Sequence, residues 1–551
     1  MAKIITENFR VKNAEDFYNT LNTDDYFVVA SAYSADSEAG ITNSLYDKIK
    51  FLNRVLFGNR VDKNDCRFLF SKRPWVEGTV YDHFDDRIDV STLNMFVTVL
   101  DGTDSDGYYR VYKCIDNNNG SQSVVKPNIV PNNSEDDGYF TTSEDGYTWK
   151  YMFSVPSSEY QIFQTRDNLP YVPDVDMINN ANDGIYRIAI ESRDANSYSL
   201  FTDYMFKNET GLAEYVLNSV SGEIAGDDDS NFYCDITVTA AQVTENIRTL
   251  DNSYVGMYIE VEGKLYDIVQ SKTRSAQAPT VEVEMRVRGD LRNSARICYL
   301  RPKVIVSNSN NSSDFKSSCK AVAMLDEFGG ITGIRVVNYG YGYTQAEAKL
   351  SLPAGIADKS GSVTLRPIIS SLGGHGANPI LELQMSKVAV VSTFYSSDDT
   401  LIPANGSYTQ VGLVRNPEFT VDMSTRYDFD SRIKVTLSGD ISALVEIGDI
   451  LEQTVDGEIV SAKVHEINVD GGNTILSIAD YSGAYSGSFV EGTNANLKKT
   501  EDDLSPITVT INSIETSEYV NGTGTLLHFT DFDAITRASE TKEKIKFIFD
   551  F

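Results

Sequence analysis

Four histidines, His83, His375, His465 and His528, are the side chains best suited to proton transfer near neutral pH, and they lie far apart in the chain. His465-Glu466 lacks the second histidine, four positions after the first, that a zinc-binding HExxH helix requires. The sequence has no Gly-x-Ser-x-Gly turn to expose a serine nucleophile, and no Gly-x-x-x-x-Gly-Lys-Ser/Thr loop to cradle phosphates. Gly340-Tyr341-Gly342 opens a dinucleotide-type pattern, but Gln345 stands where its third glycine belongs. Gly373-Gly374-His375-Gly376 has the composition of an anion nest, yet no nucleophile or base can be assigned to it, and a flexible strand connection is the plainer reading. Asp101, Asp104 and Asp106 before Gly107 suggest a calcium loop. Counting back from Gly107, however, puts Gly102 at the first ligand position and Lys113 at the last, so an acidic turn is expected instead. The five cysteines, Cys66, Cys114, Cys234, Cys298 and Cys319, are too widely spaced for a CxxC motif or a zinc knuckle. They are expected to be buried small thiols of a protein made in a reducing cytoplasm. The expectation is therefore a non-enzyme with no catalytic, cofactor-binding or metal residues.

The elements that would position such residues follow from composition and pattern. The 551 residues carry 48 Lys+Arg against 79 Asp+Glu, a net charge of −31, which repels a phosphate backbone and argues against nucleic acid as a partner. No long apolar run suggests a membrane span, and the acidic residue Glu7 so close to Met1 argues against a secretory signal. Hydrophobic residues make up 41%, and Tyr (31) and Phe (26) far outnumber Trp (2), a balance that favours a folded, strand-rich chain.

Asn13 or Asp16 is expected to cap a short helical turn through Phe17, Tyr18 and Leu21, followed by a buried strand over Tyr26-Phe27-Val28-Val29-Ala30. Leu45, Ile49, Leu52 and Leu56 share one helical face, so a core-facing amphipathic helix is expected, capped by Asn43 or Ser44 and stopped by Gly58. Strands are expected over 96–100, 108–115 and 147–153, with a turn at 101–107 and a polar loop at 117–138. From about 173 to 402, short strands alternate with joints at 226–230 and 307–313, the spacing of small β-sandwich or barrel modules. A further β-rich stretch spans 431–514, with a hairpin turn at Asp470-Gly471-Gly472-Asn473. At the end, Ile545, Phe547, Phe549 and Phe551 alternate with Lys546, Ile548 and Asp550. This apolar-faced strand is expected to close the sheet begun by the N-terminal segment.

Several local patterns form a set: Phe9-Arg10 with Phe17-Tyr18-Asn19; Ser71-Lys72-Arg73-Pro74-Trp75; Tyr109-Arg110-Val111-Tyr112-Lys113-Cys114-Ile115-Asp116; Asp145-Gly146-Tyr147-Thr148-Trp149-Lys150-Tyr151-Met152; Val411-Gly412-Leu413-Val414-Arg415-Asn416-Pro417; and the terminal Lys544–Phe551 segment. Together they resemble the T-even-type myovirus baseplate wedge family known as gene product eight. The resemblance covers about 1–175, a patch near 405–420 and roughly 520–551, and the excess length falls at about 176–404 and 421–515. Phe328–Thr344, with its repeated glycines, also resembles a strand-and-turn module of phage tail proteins.

The resemblance implies a mainly β, multidomain protein, with a β-sandwich core completed by both chain ends, a few helices and inserted small β modules. The expected divisions are a core of 1–100 with 405–420 and 516–551, a second β-rich domain at 101–175, and insertions at 176–404 and 421–515. Tyr112, Cys114, Tyr147, Trp149, Ile545, Phe547, Phe549 and Phe551 are the expected structural residues. It implies a structural homodimer in the wedge of a contractile tail baseplate, made in the host cytoplasm and carried in the virion. Its partners would be other wedge proteins, with no membrane and no nucleic acid, and it would act in assembly and in the rearrangement that triggers sheath contraction. The alternative is a tail-associated carbohydrate-binding or polysaccharide-cleaving protein, with tyrosines of the middle modules as sugar platforms.

Overall fold

The computed structural model describes residues 6–32, 44–103, 106–128, 139–181, 183–194, 201, 213–219, 233–240, 251–275, 281–289, 291, 297–308, 318–326, 329–353, 362–395, 408–482, 489–532 and 541–551. The fold is mainly β, with several sheets, a closed barrel and a few short helices. Asp104, the joint at 226–230 and residues 309–313 of the second joint lie outside the described residues.

Three sheets build the core. A five-stranded sheet runs in the order Asp428–Asp430, Val55–Val61, Tyr26–Ser31, Gln410–Arg415, Thr525–Asp531. A four-stranded sheet runs Lys542–Asp550, Lys387–Tyr395, Cys66–Ser71, Asn168–Pro170, and another Phe96–Asp101, Tyr108–Asn117, Tyr147–Pro156, Phe140–Thr142. One hydrophobic cluster joins residues from all three, including Val28, Phe57, Phe68, Val97, Trp149, Val390 and Phe547. The expected boundary at residue 100 thus falls inside a strand of a shared core.

Tyr26–Ser31 is buried along its whole length because it is the central strand and both faces are covered. Val28 and Ala30 face the main cluster, while Phe27 and Val29 face a second one with Phe51, Val55 and Phe429. That second packing depends on two glycines. Val29 stands opposite Gly58 on one neighbouring strand and Gly412 on the other. A Cβ on Gly58 would lie 2.7 Å from the Phe429 ring, and one on Gly412 would lie 2.7 Å from the Phe51 ring. The glycines let both rings lie on the sheet.

Gly58 is therefore not a helix stop. The helix is Leu45–Leu52, capped by Ser44, whose hydroxyl accepts from the Asp47 amide, and Leu56 already belongs to the strand Val55–Val61. Its expected apolar face is only half buried: Leu45 and Ile49 are 74% and 47% exposed, whereas Leu52 and Leu56 from that face are buried, and Phe51 from off it also reaches the core. The demand of Tyr26–Ser31 for a ladder partner overrides the helical period. The first helix also starts earlier than expected, spanning Glu7–Thr20 with Thr6 as cap.

The terminal strand Lys542–Asp550 alternates as expected, with Phe547 buried and Ile545, Phe549 and Phe551 packed against the main cluster. Its ladder partner, however, is Lys387–Tyr395 over nine residues. Among the described residues no backbone pairing joins it to the N-terminal segment. The ends meet through side chains: the Phe17 ring is 5.4 Å from those of Phe549 and Phe551, and Arg10 bonds the Asp550 carboxylate and the Phe551 carbonyl. Lys387–Tyr395 is apolar on both faces and pairs with Cys66–Ser71 over only four residues, so its other edge takes the chain end. Thr525–Asp531 shares a sheet with Tyr26–Ser31, separated from it by Gln410–Arg415.

Two modules hang from this core. Strands between Ile185 and Ile369 form an eleven-stranded sheet with its own buried clusters, so the expected insertion at 176–404 returns to the core before it ends. The strand Ile331–Asn338 of the glycine-rich segment lies here, followed by Gly340 and Gly342 at positive φ. The second module is a six-stranded closed barrel from Ile433 to Glu515 with a separate core. Its hairpin at 470–473 turns on Gly471 and Gly472, both at positive φ (55° and 78°), which a two-residue turn between twisted strands requires.

Candidate functional site

The strands Tyr108–Asn117 and Tyr147–Pro156 bring Lys113 directly opposite Lys150, so the two lysines share a face of the sheet. Both are buried, at 0% and 2% exposure. The cover is the segment 370–385, which contains the Gly373-Gly374-His375-Gly376 run and the short helix Pro379–Glu382. Lys113 Nζ donates to Glu382 Oε2 at 2.5 Å and to His375 Nδ1 at 3.0 Å. Glu382 Oε1 accepts from the Gly376 amide at 2.6 Å. Gly376 has φ +90°, and a Cβ there would meet Met177 Sδ at 2.5 Å, so the turn that aims this amide needs glycine.

Rings complete the enclosure. Lys113 Nζ lies 4.1 Å from the centroid of Phe84, and Lys150 Nζ lies 4.5 and 4.6 Å from those of Tyr139 and Phe140. Burial lowers the pKa of Lys113, with Glu382 opposing the shift. Burial, opposed by the charge of Glu382 and reinforced by that of Lys113, brings Lys150 down to about 7. His375 is held neutral by burial and by the two lysines. Because an ammonium only donates, His375 Nδ1 is the acceptor and its proton sits on Nε2. An amine with a depressed pKa can attack a carbonyl. Here both amines lie beneath the loop, and what the arrangement does is anchor residues 371–382 to the central sheet.

Two further ionic joints fasten the modules. Arg366, on Val363–Ile369 of the eleven-stranded sheet, pairs with Asp85 (2.5 Å), Asp86 (2.6 Å) and Glu191 (2.9 Å). Arg432, with 2% of its side chain exposed, bridges Asp430 of the core sheet (2.7 Å) and Glu466 of the barrel (2.8 Å).

The expected structural residues divide between two places. Tyr112, Cys114, Tyr147 and Trp149 are fully buried on the strands that carry the lysines. Cys114 stands opposite Trp149, and Trp149 stacks on Tyr147 at 5.5 Å. The Tyr147 hydroxyl donates to the Ser121 carbonyl at 2.5 Å. Ile545, Phe547, Phe549 and Phe551 lie on the other four-stranded sheet. All five cysteines are buried thiols outside any disulfide. Around the acidic turn, Asp101 pairs with Arg110 and Asp106 accepts from the Thr103 amide. Sequence reasoning missed the Lys113–His375–Glu382 cluster. The available signal was a lysine in the middle of each of two apolar strands, a position lysine takes only when paired or heavily desolvated. Among the described residues, no helix is long and apolar enough to cross a membrane. No protein-family model and no curated protein matches this chain.

Proposed function

We propose that this chain is a structural component of the wedge of a contractile phage tail baseplate. It acts there as a homodimer with other wedge proteins, in assembly and in the rearrangement that triggers sheath contraction, and it performs no catalysis. The motifs Tyr109–Asp116 and Asp145–Met152 support the reading, since the residues that carry the resemblance form the centre of the shared core. The observation that carries the non-catalytic part is the use made of the buried charges. Lys113, His375 and Glu382 tie a loop to the core, and Arg366 and Arg432 tie the two modules to it. This is how a rigid, multi-part scaffold spends its ionic groups.

Immunogold labelling of purified virions, with antibody raised against the full chain, tests location: label at the distal end of the tail is expected. Light scattering of the pure chain at tens of micromolar tests assembly. A strict monomer that does not associate with neighbouring wedge proteins, or label on the head or nowhere on the virion, would refute the proposal.

A further inference from the structure

A cleft of about 790 Å³ runs over the outer face of the Lys542–Lys387–Cys66 sheet, between the helix Ser157–Phe163 and the edge formed by Val55–Val61 and Asp428–Asp430. That volume lies within the range of roughly 300–1,000 Å³ typical of small-ligand sites. Its floor is apolar, with Val391 and Phe163, and Tyr395 and Tyr427 reach it from the rim. Tyr427 is 69% exposed, more than any other aromatic residue named as exposed among the described residues.

The polar lining argues for one class of occupant. Four cations, Arg60, Arg67, Lys542 and Lys544, face four carboxylates, Asp62, Asp65, Glu159 and Asp428, so the formal charge of the wall is zero. Arg67 is already paired with Glu159 at 2.9 Å, and Arg60 with Asp25. Among the described residues neither Lys544 nor Asp428 makes an ion pair, the Arg426 guanidinium near Asp428 being paired with Glu518. Asn59 donates its Nδ2 to the Thr393 carbonyl at 2.7 Å, while its buried Oδ1 has no hydrogen-bond partner. Lys542 is held over the Tyr395 ring at 4.9 Å, which fixes its ammonium at the wall. An anionic ligand or a nucleic acid would need a net positive wall, and a cation a negative one. Unspent donors and acceptors of both kinds, with an exposed aromatic face at the rim, suit a neutral polyol. Its hydroxyls both donate and accept, and its C–H faces pack on rings.

We propose that this cleft binds a neutral oligosaccharide, with Tyr427 as the stacking face and Lys544 and Asp428 as hydroxyl partners. The inference is independent of the wedge assignment, and either can fail alone. The test is a printed array of neutral and acidic glycans probed with the full chain, followed by calorimetry with the tightest-binding soluble oligosaccharide. Binding to uncharged glycans is expected, insensitive to salt. Tyr427→Ala should weaken it at least about tenfold and Tyr427→Phe should retain it, each with the wild-type melting temperature. Asp428→Asn and Lys544→Ala should each weaken it several-fold. No binding at millimolar oligosaccharide would overturn the proposal. So would binding restricted to polyanionic glycans and lost in salt, or binding unchanged in Tyr427→Ala.

Discussion

Replacing Lys150 by methionine should stabilise this protein, and the gain should depend on pH. Lys150 is buried against Tyr139 and Phe140 and makes no ion pair among the described residues; burial outweighs the opposing charges of Glu382 and Asp174, and its pKa falls from 10.5 to about 7. Between those values the folded core binds fewer protons than the unfolded chain, so stability rises as pH climbs from about 7 towards 10.5. Below about 7 the penalty is fully present and constant. At ~1.4 kcal/mol per pH unit, a gap of this size is worth on the order of 5 kcal/mol at most. The lost ring contacts, worth about 1 kcal/mol or more, and imperfect repacking reduce it. Lys150→Met should therefore gain about 1–4 kcal/mol at pH 7, a rise of roughly 2–4 °C per kcal/mol for a unit of this size. Thermal melts of wild type and variant from pH 6 to 10 give the comparison. The two curves should converge as pH rises, because only the wild type recovers stability. A variant less stable at every pH, or one with the wild-type pH slope, would refute the assignment of Lys150 as an amine whose desolvation outweighs its charge partners.

Glu382→Gln should do the reverse, costing about 3–5 kcal/mol at pH 7 by leaving Lys113 buried without its counter-charge; limited proteolysis should then cut first within 370–385. Gly412→Ala forces a Cβ to within 2.7 Å of Phe51 and 2.9 Å of Leu526 and should cost about 1–3 kcal/mol or more, read as a lower urea midpoint with unchanged m. Phe547→Ala should cost about 3–5 kcal/mol. Removal of 542–551, which bares one edge of Lys387–Tyr395, should produce aggregation seen by light scattering, and a truncated chain that stays monodisperse and melts like the full one would contradict this packing.

Much of the local structure was legible in the residues. The Asp470–Asn473 hairpin, the alternation of Ile545, Phe547, Phe549 and Phe551, and a β-rich unit between 431 and 514 all rest on short-range rules: positive φ at glycine, and a side-chain period of two. These depend on neighbours within a few residues, so a linear pattern carries them. Tertiary structure decided what those elements pair with. Leu45, Ile49 and Leu56 have a helical period, yet Leu56 is in a strand because Tyr26–Ser31 requires a partner there. The terminal strand has the expected faces and a different neighbour. The Lys113–His375–Glu382 cluster lay furthest from view, since its lysine and histidine are 262 residues apart. A lysine in the middle of an apolar strand marks its position as unusual, but not which distant residues will enclose it. Desolvation belongs to a position only after the sheet and its covering loop have packed, and that packing makes Lys150 a weak base and Glu382 indispensable to Lys113.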